Sequence, residues 1–155
     1  MNIRRAEQKD LKTVARLLEQ VLEIHAKIRP DIFISGTRKY TDDKLIEIFK
    51  DDDTPVFVAE DEGNVLGYCF CEIQERKGIV NMKDVKTLYI DDLCVDESTR
   101  GKSVGRKLYE YVLDYAKSIG CYNVILNVWE GNDSARAFYD KMGFKTQKTL
   151  LEKVL

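Results

Sequence analysis

Three stretches of the chain carry apolar residues at every third or fourth position, the spacing of an amphipathic helix. The first begins near residue 11 and is interrupted by Arg29-Pro30-Asp31. The second runs from Thr41, a residue type that suits an N-cap, to about Phe49. The third covers 104–119, and Gly120 follows where a C-terminal cap belongs. Their apolar faces consist of Leu11, Val14, Ala15, Leu18, Val21 and Leu22, then Leu45, Ile46 and Phe49, then Val104, Leu108, Tyr111, Val112, Tyr115, Ala116 and Ile119.

Other stretches are rich in β-branched and aromatic residues, which predict strands. PVFVAE at 55–60 and VLGYCFCEIQ at 65–74 flank a turn at 61–64 and therefore predict a hairpin. Residues 31–39 and 76–86 are interpreted as loops. The remaining predicted strands are 2–5, TLYIDDLCV at 87–95, NVILNVW at 123–129, and 144–154.

A short fourth helix over 134–142, ended by Gly143, completes the element order β-α-α-β-β-β-α-β-α-β. A hairpin-rich first half followed by alternating strands and helices predicts one mixed α/β sheet with helices on both faces. The 155 residues contain no repeat, low-complexity segment or linker, so a single domain spanning 1–155 is expected.

The composition is that of a globular protein, with 44% hydrophobic and 34% charged residues. The net charge of −2 gives no basic excess that would indicate a nucleic-acid partner. Four cysteines accompany a single histidine, and Cys69 and Cys71 form C-x-C, so no zinc site is expected. Free thiols, an N-terminus without an apolar leader, and the lack of a long apolar run together predict a cytoplasmic protein without a membrane partner.

The stretch STRGKSVGRKL at 98–108 contains Gly101-Lys102-Ser103, which is similar to the end of a nucleotide-binding P-loop. The Walker A pattern requires a glycine five positions before that triplet, where this chain has Asp96. A triphosphate site is therefore disfavoured. A shorter loop that holds a pyrophosphate at a helix N-terminus stays open.

Two blocks of the sequence together resemble the GNAT superfamily of acetyl-CoA-dependent N-acetyltransferases. YIDDLCVDESTRGKSVGRKLYEYV resembles the family's acetyl-CoA motif, Q/R-x-x-G-x-G/A, and NVWEGNDSARAFYDKMGFK resembles its A-x-x-F-Y-x-x-x-G-F helix. The resemblance is specific over about 87–146, and the element order extends it to the whole chain. One position departs, because Ser103 stands at the first glycine of the motif. A positive φ there would strain a serine.

The resemblance implies that acetyl-CoA is the co-substrate, with no metal, and that its pyrophosphate lies at the start of the helix. Backbone N–H groups lack helical partners there, and the helix dipole favours anions. The implied binding residues are Arg100, Gly101, Lys102, Ser103, Val104, Gly105 and Arg106. From the residues alone, the three basic side chains are equally typical of a solvated surface.

In the family, the strand before this loop diverges from its neighbour, which implies that the backbones of Leu93, Cys94 and Val95 bind the pantetheine arm. The Leu93 N–H is the implied oxyanion donor. Tyr139 is the implied cofactor contact and the acid that protonates the departing thiolate, whereas helical spacing alone favours aromatic packing. No histidine pairs with Cys94, so direct transfer within a ternary complex is expected.

Asp91 and Asp92 are the candidate acceptor-binding carboxylates. Polyamine-acetylating members of the family carry a Glu-Asp pair at similar positions, which attracts the cationic acceptor and relays its proton. Strand neighbours point to opposite faces unless a bulge intervenes. Asp91 shares the alternation of Leu93 and Val95 and is therefore the preferred base. The alternative is that one or both aspartates cap loops or form ion pairs.

Three further polar residues are candidates for the acceptor side. Asn132 resembles a family asparagine that bonds the pantetheine arm or the acceptor, and it also suits a helix N-cap. Asn127, predicted in mid-strand, is assigned a similar part. His25 continues the apolar face of the first helix just before the loop that walls the family's acceptor site. A lone histidine at such a position is also typical of a packed core residue.

The expected acceptor is a primary amine on a small cation such as a polyamine. A peptide or protein amine and an aminoglycoside are alternatives, and a non-catalytic acyl-CoA-binding module on the same fold is the rival function. Many members of the family dimerise through sheet edges or the last strand. A homodimer is therefore an expectation raised by the resemblance and not by the residues.

Overall fold

The computed structural model describes residues 1–99 and 101–155, so the predicted role of Arg100 lies outside the described residues. Those residues contain one five-stranded sheet in the order β1-β2-β3-β4-β5. The strands are β1 (Asn2–Arg5), β2 (Val56–Asp61), β3 (Asn64–Arg76), β4 (Val85–Val95) and β5 (Asn123–Leu126). The α-helices are α1 (Leu11–Ile28), α2 (Asp42–Lys50), α3 (Val104–Ser118) and α4 (Asp133–Lys141). Neighbouring strands are antiparallel except β4 and β5, which are parallel.

Helices cover both faces of the sheet, which confirms the predicted fold class. Alternation along β3 sends Tyr68 and Phe70 toward α1 and α2, where they join one buried cluster. Cys69 and Cys71 point the other way into a second cluster, which includes Val104 and other residues of α3. Each helix thus buries its apolar stripe against one face of a sheet whose central strands are apolar on both sides.

The capping residues seen in the sequence predicted the ends of the helices correctly. Thr41 caps α2, where its hydroxyl accepts a hydrogen bond from the Lys44 amide at 3.3 Å. Gly120 follows α3 with a φ of 78°, a left-handed conformation that favours glycine. The predicted boundaries of α1, α2 and α3 are therefore confirmed to within a residue or two.

The predicted last strand over 144–154 is wrong. No strand forms there, and the four apolar side chains near the end of the chain stay in solvent with relative exposures of 96, 86, 75 and 112%. These are Leu150, Leu151, Val154 and Leu155. The segment has strand-like composition, but a strand persists only when its backbone groups pair with a neighbour. Within the described part of the chain it pairs with none.

Candidate active site

The parallel strands β4 and β5 part in the middle of β4. Their pairing ends at Ile90 and Leu126, while β4 continues to Val95. The segment 91–95 therefore has β3 on one side and no strand of the described chain on the other. The predicted strand 123–129 is shorter for the same reason, and Asn127 lies just beyond its end instead of in mid-strand. The result is an opening between two strands, bounded by α3.

Backbone polar groups line this opening. The Asp96 amide donates to Leu66 O at 2.8 Å, on the β3 side. Because successive backbone groups of a strand point to alternate sides, the N–H and C=O groups of Leu93 and Val95 point into the opening. Those of Cys94 point toward β3, and its thiol lies 3.7 Å from Leu17 O on α1. Cys94 is therefore turned away from the opening, contrary to its assignment beside Leu93 and Val95.

A β-bulge brings Asp91 and Asp92 to the same face of the sheet. The register with β3 passes from Cys71 opposite Ile90 to Phe70 opposite Asp92, which leaves Asp91 without a partner. The extra residue cancels one step of alternation. The expectation that Asp91 shares a face with Leu93 and Val95 is therefore wrong. Those two side chains pack on the α3 side.

Asp91 is already engaged by an ammonium group. The Lys39 Nζ lies 2.8 and 2.6 Å from its two carboxylate oxygens, and the Tyr40 hydroxyl donates to it at 3.2 Å. Its side chain is 22% exposed. This partner compensates the charge of Asp91, so the carboxylate binds a cation in the described structure. The ion-pair alternative is therefore the one that the geometry bears out.

Asp92 has a different environment. The Tyr68 hydroxyl donates to its carboxylate at 2.6 Å. Burial raises the pKa of Asp92, the Tyr68 bond opposes the change and the charge of Asp91 adds to it, with a net pKa of about 6. A carboxylate with a pKa near 6 is ionised at neutral pH and still basic enough to accept a proton. Asp92 is therefore better suited than Asp91 to act as a base.

Tyr139 on α4 lies near Cys69 of β3 and Asp92 of β4. Its ring is 9% exposed and lies 5.2 Å from Phe138 and 5.5 Å from Phe144, so the predicted packing role holds. Burial, followed by the proximity of Cys69 and Asp92, raises the pKa of the Tyr139 hydroxyl well above the usual range for a phenol. Its hydroxyl makes no hydrogen bond within residues 1–99 and 101–155. A buried, protonated donor without a protein partner is suited to protonate a bound group.

The loop before α3 places unpaired amides at the helix start. The first bond into the helix runs from the Lys107 amide to Ser103 O at 3.0 Å. The amides of Val104, Gly105 and Arg106 therefore lack partners within the helix. Ser103 adopts φ 58° and ψ 23°, a left-handed conformation, and its side chain makes no capping bond. The motif glycine has thus been replaced at a position where serine is strained.

Asp96 shapes this loop instead of facing a phosphate. Its carboxylate accepts bonds from the Ser98 amide at 3.0 Å and hydroxyl at 2.8 Å, and Arg16 lies 2.5 Å away. The Arg16 guanidinium holds the pKa of Asp96 below its usual range. The cationic side chains of Lys102 and Arg106 are exposed, and Arg106 also pairs with Glu110 at 2.8 Å.

The remaining candidates have local partners. Asn132 caps α4, where its side-chain oxygen accepts from the Ala135 amide at 3.3 Å. The Asn127 amide donates to the Tyr89 hydroxyl at 3.1 Å. His25 is half-buried and packs against Phe33 in a tilted arrangement, with ring centroids 5.1 Å apart.

Burial, followed by the charge of Lys39, lowers the pKa of His25. The charge of Lys39, which pairs with Asp91, therefore also acts on His25.

Sequence reasoning missed Lys39, Tyr40 and Tyr68. Tyr68 alternates with the apolar residues of β3, a pattern that indicates only packing. Tyr40 precedes the predicted N-cap and could have been found as a helix-entry contact. Nothing in the sequence signals Lys39, because the loop conformation alone brings it to Asp91.

No group of three or more histidine, cysteine, aspartate or glutamate side chains among the described residues is arranged to hold a metal ion. None of the described helices is both long and apolar enough to span a bilayer.

Comparisons with known proteins agree with this geometry. The model of the acetyltransferase (GNAT) family matches residues 18–144. A glucosamine 6-phosphate N-acetyltransferase of Arabidopsis thaliana is 32% identical over 116 residues, which cover 75% of this chain and 68% of the relative. A crystal structure of a mutant protein from Bacillus halodurans has a TM-score of 0.95 and 35% identity, covering 100% of this chain and 99% of that one. An aminoglycoside N-acetyltransferase in complex with CoA shares the fold at 14% identity, with a TM-score of 0.71 over 99% of this chain and 98% of that one.

Proposed function

The chain belongs to the acetyltransferase (GNAT) family, and on that premise we propose that this acetyl-transferring enzyme uses acetyl-CoA to acetylate the primary amine of a small cation such as a polyamine. The transfer takes place by direct attack within a ternary complex. The proposal assigns the whole chain, 1–155, to one N-acetyltransferase domain. Its rival, a non-catalytic acyl-CoA-binding module, is disfavoured because the family and the relatives are acetyl-transferring enzymes.

The observation that carries the acceptor class is the pair of carboxylates on one face of the β4 bulge. Asp91 already binds an ammonium group, and the aromatic ring of Tyr40 lies beside it. Carboxylates and aromatic faces are the groups that recognise alkylammonium ions. Asp92 adds a second negative charge next to the first. The cleft therefore suits an acceptor that arrives protonated.

Three groups around the opening supply the chemistry in this proposal. Asp92 takes the proton that the acceptor ammonium must lose before it can attack, since a free alkylamine titrates near pKa ~10.4. The Leu93 amide, which points into the opening, donates to the oxygen that gains negative charge. Tyr139 gives its proton to the departing thiolate. Asp91 binds the cationic acceptor, a role that the sequence analysis expected of both aspartates.

The residues at the start of α3 fit the pyrophosphate of acetyl-CoA. The amides of Val104, Gly105 and Arg106 are unpaired within the helix, and Lys102 adds a cation in solvent. Leu93 and Val95 offer backbone groups to an extended ligand arm. When bound, acetyl-CoA supplies the activated acetyl group.

The same proposal assigns His25 and Asn127 to the acceptor side of the cleft, and Asn132 to binding of the pantetheine arm or the acceptor. The relatives suggest a second acceptor class. The Arabidopsis relative acts on glucosamine 6-phosphate and a structural neighbour on aminoglycosides. Sugar amines are also cations at neutral pH, so the same carboxylates would attract them. A peptide or protein amine has no contact in the cleft that favours it.

We expect two further properties. The exposed apolar residues of 144–155 and the unpaired outer edge of β5 support a homodimer in which the end of one chain covers the other. Light scattering after gel filtration would test it. The cytoplasm remains the proposed location, because buried cysteine thiols are typical of proteins in a reducing compartment.

The first experiment is a calorimetric titration of acetyl-CoA, with ATP as control. Heat from acetyl-CoA and none from ATP is the expected result, and the absence of acetyl-CoA binding would refute the assigned pyrophosphate site. Release of free CoA thiol is then measured with putrescine, glucosamine 6-phosphate and a short peptide amine. Putrescine should react with the highest kcat/KM. Preference for the peptide would contradict the assigned acceptor class.

A further inference from the structure

Lys39, in the loop before α2, places its ammonium group in a site built for a cation. Nζ lies 2.6 and 2.8 Å from the carboxylate oxygens of Asp91. It also lies 5.4 Å from the ring centroid of Tyr40, whose hydroxyl bonds to the same carboxylate. These are the contacts that a protein offers to an alkylammonium ligand. Here the chain itself provides that ligand.

The position of this ammonium coincides with that of the proposed acceptor. Burial opposes the charge of Lys39, but the bond to Asp91 and the nearby charges of Asp91 and Asp92 raise its pKa. Burial and then the charge of Lys39 lower the pKa of His25, so Nζ lies near several of the groups assigned to acceptor binding. Asp91 is 22% exposed and has both oxygens engaged by Lys39. An acceptor ammonium therefore cannot reach Asp91 in the same way until Lys39 leaves.

Lys39 is also free to leave. Its side chain is 49% exposed and belongs to a surface loop, and exposed ion pairs are weak. With Lys39 displaced and nothing in its place, two neighbouring carboxylates would lack a cation and would repel each other. A cationic acceptor restores the compensation, whereas a neutral amine does not.

We propose that Lys39 is a tethered competitor which occupies the ammonium subsite at Asp91 and raises the concentration of cationic acceptor that is needed to fill this subsite. This inference rests on the proposed function, because it concerns the same acceptor site. Lys39 acts on the binding of cationic acceptors and takes no part in the transfer. Its removal lowers the KM of a cationic acceptor and leaves that of a neutral amine unchanged.

The test compares Lys39→Met with Lys44→Met, which removes an exposed lysine from α2. KM and kcat are measured for putrescine and for aniline, which is uncharged at neutral pH. Lys39→Met should lower the KM for putrescine about fivefold, the effect of losing one weak ion-pair competitor. The KM for aniline, and both values for Lys44→Met, should stay at the wild-type level. An unchanged or raised KM for putrescine would overturn the inference.

A second measurement does not depend on turnover. The wild-type protein is treated with an amine-labelling reagent with and without putrescine, and peptide mass mapping gives the labelling of Lys39 relative to Lys44. Putrescine should raise the labelling of Lys39, because the displaced amine enters solvent. If the protein acetylates neither amine, the proposed function fails and this measurement still decides the role of Lys39. If turnover occurs but labelling does not change, only the inference fails.

Discussion

The replacement Asp92→Asn should stabilise the fold at neutral pH while abolishing most of the activity. A pKa raised from 3.8 to about 6 corresponds to roughly 3 kcal/mol against the ionised form in the folded state. The side chain is partly exposed, and this reduces the expected gain to about 1–2 kcal/mol. Asparagine has nearly the same shape, and its oxygen can still accept the bond from Tyr68.

The sign of the pH dependence follows from linkage. Below pH 3.8 the carboxyl group of Asp92 is protonated in both the folded and unfolded states, so it does not change the free energy of unfolding. Between 3.8 and about 6 the folded protein holds the proton more tightly, so the free energy of unfolding falls as the pH rises. Above about pH 6 the carboxylate is ionised in both states, and its full unfavourable contribution to the free energy of unfolding is present. The advantage of Asp92→Asn should therefore be absent near pH 4 and constant above pH ~7.

The assay is urea denaturation of the wild type, Asp92→Asn and the matched control Asp91→Asn at several pH values. Asp91→Asn should be neutral or destabilising by up to ~1 kcal/mol, because it breaks the pair with Lys39. The diagnostic result is that the two replacements change the free energy of unfolding in opposite directions. Equal effects, or a stabilisation by Asp92→Asn that persists at pH 4, would refute the argument from burial. In turnover assays, wild-type kcat/KM should decline as the pH falls through about 6.

Three further replacements test the loop, the acid and the sheet. Ser103→Gly should raise the free energy of unfolding by about 0.5–1 kcal/mol in urea, because it removes the left-handed strain at φ 58°, whereas Ser103→Ala should not. Tyr139→Phe should lower kcat about 100-fold with little change in KM or melting temperature, since its hydroxyl bonds to no described protein group; an unaltered kcat would exclude Tyr139 as the acid. Gly67→Ala should destabilise the protein by about 1–3 kcal/mol in urea, because the added Cβ would lie 2.7 Å from Cys94 O. Gly105→Ala, whose Cβ meets only ordinary contacts from 3.4 Å, is the control and should not destabilise.

The helices and central strands were predictable because their signals are local. Periodic apolar residues define α1 and α3, Thr41 caps α2, and the turn at 61–64 joins a hairpin. The last strand failed for the opposite reason. A strand depends on a partner that is distant in the sequence, and the composition of 144–154 carries no information about whether one is present.

The resemblance of two motifs to an acetyltransferase family is confirmed at the level of the family, since the family model matches 18–144. The motifs also directed attention to β4, α3 and Tyr139, where the structure places the divergence of the strands and the unpaired amides. Their assigned roles remain predictions. The replacement of the motif glycine by Ser103 was visible in the sequence, but only the observed φ of 58° shows that it carries strain.

The sequence by itself determined the order of the elements as far as α4, the two apolar faces of the sheet and the family to which the chain belongs, because each depends on residue types at short, fixed spacings. Tertiary structure alone decided how the carboxylates differ. The bulge turns Asp91 and Asp92 to one face, and the loop before α2 gives Asp91 the ammonium of Lys39. Burial, opposed in part by the Tyr68 bond, raises the pKa of Asp92 to about 6. Two adjacent, identical residues acquire different chemistry because the electrostatic free energy of a charge depends on its neighbours in space and on its distance from water.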